Sequence, residues 1–251
     1  MSKIHHFFKN ITKNFTLTTP VAILLGAVII SFGLMGYGLI TSNNSSQGLV
    51  NNPLPKILKN AGLKEKAFTA CVNSGEMASA VSNSTQDGVK AGVNGTPSTF
   101  ILREENGVQY VVANISGAQS QNVFKQAIDN ALSLTSVTKL SPFKGNPITV
   151  NDLQEVSTPS KVYVVEYSDA ECPFCIGLHN TMKEIRTDYT GKISFVYRNF
   201  PLTSIHQHAQ KEAEMIACAG KLGGAKALYG YIDGTFDYKV KNNIGFMTLN
   251  N

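Results

Sequence analysis

Cys172 and Cys175 are the residues of this chain best placed to do covalent chemistry. They sit in Lys161 to Gly177, KVYVVEYSDAECPFCIG, where an apolar run is followed by a short acidic turn and then by the C-P-F-C tetrapeptide. Pro173 suits the first turn of a helix, because its missing N–H would have no intrahelical partner there. Cys172 then stands at the helix N-terminus. Unpaired N–H groups and the positive end of the dipole favour a thiolate at that place, and the thiolate is the species that attacks disulfides. The spacing puts the second sulfur one turn further in, within bridging reach. It predicts a redox pair, with Cys172 the attacking and more exposed thiol and Cys175 the resolving one.

Other uses of the pair are weaker. A zinc site would draw nitrogen from His179, His206 or His208, but the usual spacing calls for a second C-x-x-C or an H-x-x-x-H pair, and neither is present. A bridge across C-x-x-C spans too little chain to constrain the unfolded state, so an inert structural disulfide explains the motif poorly. The expectation is no metal and no bound cofactor, the redox group being the cysteine pair itself.

The elements that must carry the pair follow from the flanking pattern. Val162, Tyr163, Val164, Val165 and Tyr167 form a β-branched and aromatic run of the kind buried on both faces of a sheet. Ser168, Asp169 and Ala170 break it. A helix is predicted over Cys175 to Tyr189, a second buried strand over Lys192 to Arg198, and helices over His208 to Lys221 and Ala225 to Thr235. Lys241 to Asn251 carries no stop signal and resembles a helix approach cut short.

Ahead of this half, the 251-residue chain opens with residues 1–16, which carry Lys3, Lys9 and Lys13 and no acid. Residues 17–40 include the uncharged stretch Pro20 to Ile40, long enough to cross a hydrocarbon core as one helix. Lysines before it and none in residues 41–55 predict a cytoplasmic tail, a transmembrane anchor and an extracytoplasmic remainder in the cell membrane, crossing once. A cleaved signal peptide is the competing reading, although no A-x-A-like site follows. Residues 41–52 are small and polar, a tether. Disulfide chemistry suits such a compartment. The net charge of +5 comes from scattered lysines rather than a run, so no nucleic-acid partner is expected.

Residues 53–133 read as a helix around Leu54, Ile57 and Leu58, a second over Lys64 to Val72 with Phe68 and Cys71, and a third over Met77 to Ala91. A loop, Gly92 to Ser98, then leads into a strand; Asn106-Gly107 turns it into Val108 to Val112, and a helix over Gln119 to Leu132 closes the half. Residues 134–160, with Pro142, Gly145, Pro147 and Pro159, read as a surface linker with an edge strand at Ile148 to Val150.

V-V-E-Y-S-D-A-E-C-P-F-C, with F-V-Y-R-N-F-P-L-T-S-I-H-Q-H-A and A-x-x-A-C-A-G after it, resembles the DsbA-like thiol:disulfide oxidoreductases of the thioredoxin superfamily. The resemblance covers residues 53–251 and implies an α/β, thioredoxin-like fold with a helical insertion. The order of the halves departs from the family's. The G-V-N-G-T-P-S-T-F-I-L half, residues 53–133, corresponds to the family's C-terminal part, yet it precedes the C-x-x-C half, residues 161–251. The order reads as a circular permutation with 134–160 as the join. Two truncated domains in tandem, or a dimer exchanging halves, are the rivals. One joined sheet is preferred, because each half alone would leave open sheet edges.

The resemblance also assigns roles. Cys172 and Cys175 become nucleophile and resolving thiol, supported by Pro173 and Phe174. Thr96-Pro97 becomes the cis-proline loop facing them, with an ordinary trans strand start as the other reading. Glu166 becomes a buried acid that moves protons for Cys175, unless strand alternation points it outward. Cys71 and Cys218 match a second disulfide of the helical insert in some members, two free buried thiols being the alternative. Phe174 departs from the polar residue of the best-known strong oxidants. The implied activity is a membrane-anchored oxidoreductase acting on cysteine-containing protein substrates, with a quinone-linked membrane partner if it works as an oxidase. A reductase or isomerase running on the same site, or a redox-inactive binding module, are the alternatives that remain.

Overall fold

The computed structural model describes residues 52–149, 152, 154–155 and 160–242, and the described residues from 53 onward form one compact unit. The anchor and tail predicted within residues 1–51 lie outside the described residues; among those described, no helix is long and apolar enough to cross a membrane. The elements in chain order are α1 (Leu54–Asn60), α2 (Glu65–Ser74), α3 (Ala78–Ala91), β1 (Ser98–Glu105), β2 (Val108–Ser116), α4 (Gln121–Ser133), β3 (Ser141–Pro142), β4 (Gln154–Glu155), β5 (Val162–Ser168), α5 (Pro173–Asp188), β6 (Ser194–Asn199) and α6 (Ala209–Asn242).

One six-stranded sheet, in the order β3-β2-β1-β5-β6-β4, takes strands from both halves of the chain. β1 pairs antiparallel with β5, and β5 pairs parallel with β6. All seven residues of β5 are buried, as the unbroken β-branched run requires of a central strand. Its alternation feeds two cores. Val162 and Val164 join Ile101, Phe195 and the apolar faces of α1, α2, α4, α5 and α6, while Tyr163, Val165 and Tyr167 join Phe100, Leu102, Val196 and Phe200 on the opposite face. The β1–β2 hairpin closes through Asn106 and Gly107, both at positive φ, the pair of left-handed residues that a two-residue hairpin turn demands.

Several boundaries move from the sequence expectation. β2 runs on to Ser116, because its outer half still has β1 to pair with. The linker holds short edge strands at 141–142 and 154–155, and Ile148 and Thr149 of the predicted strand belong to none, Val150 lying outside the described residues: Gln109 takes both backbone groups of Ile148, donating to its carbonyl at 2.7 Å and accepting from its N–H at 2.8 Å. The two predicted C-terminal helices run together as α6, with Gly224 at φ 67° and ψ −162° making the kink, and the second continues to Asn242. Residues 243–251 lie outside the described residues.

Cys71 on α2 and Cys218 on α6 form a disulfide 147 residues apart in sequence. Closing so long a loop removes much entropy from the unfolded chain. The double variant C71A/C218A should therefore lose about 2–4 kcal/mol in denaturant unfolding. An unchanged unfolding midpoint would mean that packing of α2 on α6 alone sets the stability there.

Candidate active site

α5 begins at Pro173 with Cys172 as its N-cap, in extended backbone geometry (φ −71°, ψ 123°), so the Cys172 sulfur sits where the first helical N–H groups converge. Cys175 lies one turn in, and both are free thiols. Cys172 is the more exposed of the two thiols, as expected, but at 3% against 1% for Cys175 it is itself buried, because the Thr96-Pro97 loop lies over it. Cys172 Sγ lies 3.4 Å from the Thr96 carbonyl oxygen, to which it donates when it is a thiol, beside a Thr96-Pro97 bond that is cis. The Asp169 N–H donates to Cys175 Sγ at 3.4 Å. Phe174, between the thiols, is 66% exposed, so the rim of the site is apolar.

The two thiols differ sharply. A hydrogen bond from Cys175, backed by the Cys175 and Phe174 N–H groups and opposed by burial, holds Cys172 down from 9.0 to about 5. Burial, with the neighbouring Cys172, drives Cys175 well above the usual thiol value. One sulfur is thus an anion at neutral pH, and the other keeps its proton until a base removes it.

Glu166 faces inward on β5. It is 6% exposed, directly across from Thr99 of β1 and beside Tyr197 of β6, and burial raises its carboxyl to about 7 against the opposing Ser168 hydroxyl and Arg186 charge. It lines one small cavity together with Cys175. A carboxylate there is poised to take and return a proton near neutrality.

Sequence reasoning missed the supports of the turn before Cys172. Asp169, 1% exposed, accepts the Glu171 N–H at 2.8 Å and the Leu202 N–H at 2.8 Å, and its Oδ2 lies 2.8 Å from His206 Nδ1. Glu171 accepts the His208 N–H at 2.7 Å. These contacts seat the loop after β6 beside the thiols. Beneath them Lys239, fully buried on α6, donates to the Ala170 carbonyl at 2.6 Å and to Glu212. The only sequence signal for Asp169 was the acidic turn itself; for Lys239, remote in sequence, there was none. Among the described residues, no group of three or more His, Cys, Asp or Glu side chains is arranged to hold a metal ion.

Two family models match the chain. One described as thioredoxin covers residues 157–245, and one described as a DSBA-like thioredoxin domain covers residues 45–129. Together they support a DsbA-like member of the thioredoxin superfamily. Short stretches also match larger proteins. The Na(+)/H(+) antiporter NhaA 1 of Salinispora arenicola is 45% identical over 62 residues, 25% of this chain and 9% of that protein. NhaA 3 of Salinispora tropica is 42% identical over 62 residues, again 25% and 9%. NhaA 1 of Mycobacterium sp. (strain KMS) is 38% identical over 61 residues, 23% and 10%. The chain matches about a tenth of the length of these relatives.

Proposed function

We infer that this DsbA-like member of the thioredoxin superfamily is a thiol:disulfide oxidoreductase whose redox group is the Cys172–Cys175 pair, without a metal or bound cofactor. The observation that carries the reading is the contrast between the two sulfurs: a Cys172 thiol held down to about 5 at a helix N-terminus, and a buried Cys175 held above its usual value. In the dithiol form the Cys172 thiolate attacks a disulfide, forming a mixed disulfide and expelling one thiolate. Cys175 then gives its proton to Glu166, its sulfur attacks Cys172 Sγ, and the bond to the partner breaks with the electron pair leaving on the partner's sulfur. Run in reverse, the same steps oxidise a dithiol substrate.

The favoured direction is disulfide formation in cysteine-containing proteins. A strongly stabilised thiolate favours the reduced form of the pair, which makes the disulfide form an oxidant. Reoxidation by a quinone-linked membrane partner, with an anchor at residues 17–40 holding the domain outside the cytoplasm, completes the proposal; it rests on the uncharged stretch and its flanking lysines. The pairing of β1 with β5 supports a single circularly permuted domain over two truncated ones, since each half supplies the edge the other lacks.

The test is redox equilibrium of the full chain, in detergent, with glutathione, alongside its mass in solution. An oxidant should be more than half reduced in a buffer poised at the potential of the glutathione pool, and a permuted single domain should be monomeric. A pair that stays oxidised in that buffer would assign it to reduction. Catalysis only by dimers would assign the sheet to exchanged halves.

A further inference from the structure

Glu166, once it has taken the Cys175 proton, must pass it on, and the buried sheet around it leaves little direct contact with bulk solvent. Thr99, Glu166 and Tyr197 are neighbours across three adjacent strands, and Ser168 follows two residues along β5. The hydroxyls of Thr99, Ser168 and Tyr197 are buried around Glu166, with Ser168 acting on both the Glu166 carboxyl and the Tyr197 hydroxyl, a polar strip set into an otherwise apolar core. Tyr197 lines, with Glu166, Cys175, His179, Arg186 and Asp233, a cavity with room for about a single water. His179 Nε2 is buried without a hydrogen-bond partner, and lies 3.3 Å from Asp237 Oδ1 and 3.7 Å from Asp233 Oδ1. Those two carboxylates are 47% and 30% exposed, so the far side of His179 opens to solvent.

We propose that His179 is the proton exit of the site: the proton that Glu166 takes from Cys175 crosses this cavity to His179 and leaves through Asp237. This rests on the reading of Glu166 as the base for Cys175. The imidazole becomes a transient imidazolium between two carboxylates, gives the proton to Asp237, and Asp237 sheds it to water. The charged neighbours of the ring pull both ways, and Asp237 is also held by Lys183 at 2.8 and 3.0 Å. Asp233 and Asp237 on α6 stabilise the cationic form, while Arg186 and Lys183 on α5 oppose it. Burial is the largest influence and keeps the imidazole neutral down to about pH 4, so at working pH it does not retain a proton handed to it. Arg186 is drawn aside by Asp233 and lies over the Tyr229 ring at 5.0 Å. The His179 ring stacks on Phe236 at 5.1 Å, which fixes its plane between cavity and surface.

The experiment follows the proton separately from the sulfur chemistry. The reduced full chain is mixed with 5,5′-dithiobis(2-nitrobenzoate), whose coloured thiolate leaving groups stay ionised, in weakly buffered solution containing a pH indicator. The first coloured thiolate reports attack by Cys172; the second reports resolution by Cys175, which also yields one proton. At about pH 8 Glu166, with its carboxyl near 7, is ionised before and after. In the wild type the proton and the second thiolate should appear together. In H179F, which keeps the stack on Phe236, the proton should trail the second thiolate by about tenfold while both thiolates keep their rates. D237N should show the same lag and guards against an H179F chain that fails to fold. In E166Q the second thiolate itself should slow by about tenfold or more. A slow second thiolate in E166Q with no proton lag in H179F and D237N overturns the role of His179 alone. An unslowed second thiolate in E166Q overturns the reading of Glu166, and the exit falls with it.

Discussion

Cys172→Ser should reduce disulfide exchange by at least about a thousandfold with the fold intact, since a serine oxygen forms no mixed disulfide and Cys175 alone is buried and protonated. The wild-type pH profile carries the sharper content. With its thiol held down from 9.0 to about 5, Cys172 is almost wholly ionised at pH 7, where an ordinary thiol is ionised to about 1%; that is a gain of about a hundredfold in the attacking species. Alkylation of the reduced protein should therefore rise through pH 5 and run flat from pH 6 to 8, whereas an ordinary thiol keeps accelerating towards pH 9. The linkage has the same sign. The folded reduced state prefers the anion, so this stabilisation of the reduced form is fully present above pH 9 and is lost as pH falls through about 5. An inflection near 8 to 9 would mean that the helix start and the Cys175 hydrogen bond do not activate the thiol, and the oxidant reading would go with it.

What the sequence announced and what it hid divide along a physical line. β5 and α5 are legible because local pattern alone determines them: an unbroken β-branched run has to be buried on both faces, and Cys-Pro opens a helix in one way. Motif spacing likewise located the thiols, and the family resemblance pointed to Glu166. It could not show that Cys172 would be covered, because the cover comes from Thr96-Pro97, 76 positions earlier in the chain and brought over by β1 pairing with β5. The cavity below escaped for the same reason. Glu166, Tyr197, His179 and Asp233 come from four elements, and nothing in the spacing of His179 and Asp233 says that one helix turns its face to the other. His179 was weighed only as a zinc ligand, and its ring instead stacks on Phe236 beside two carboxylates.

The linker 134–160 is the place where sequence reasoning was least adequate, and it supports the second large prediction. Its Pro and Gly content suggests a strand-poor surface crossing, yet it is drawn into a buried ionic network on the face of the sheet opposite the thiols. Asp87 of α3, 2% exposed, accepts from Arg198 Nη1, from the Tyr167 hydroxyl and from the Asn146 N–H. Arg198, 9% exposed, donates in turn to the Asn146 carbonyl at 3.1 Å and reaches Asp152 at 3.4 Å. One carboxylate thus joins α3, β5, β6 and the linker. Asp87→Ala leaves a buried guanidinium facing a buried tyrosine hydroxyl with the main counter-charge gone. The loss should be about 3–5 kcal/mol in urea unfolding. Removing both charges as D87L/R198M should cost much less, because no uncompensated ion is then left inside. The thiols lie on the far side of the sheet, so exchange per folded molecule should hold in both variants. If D87A unfolds at the wild-type midpoint, the network is solvated and the linker is attached by its edge strands alone. If D87L/R198M is as unstable as D87A, the hydrogen bonds that seat Asn146 matter more than the balance of charge.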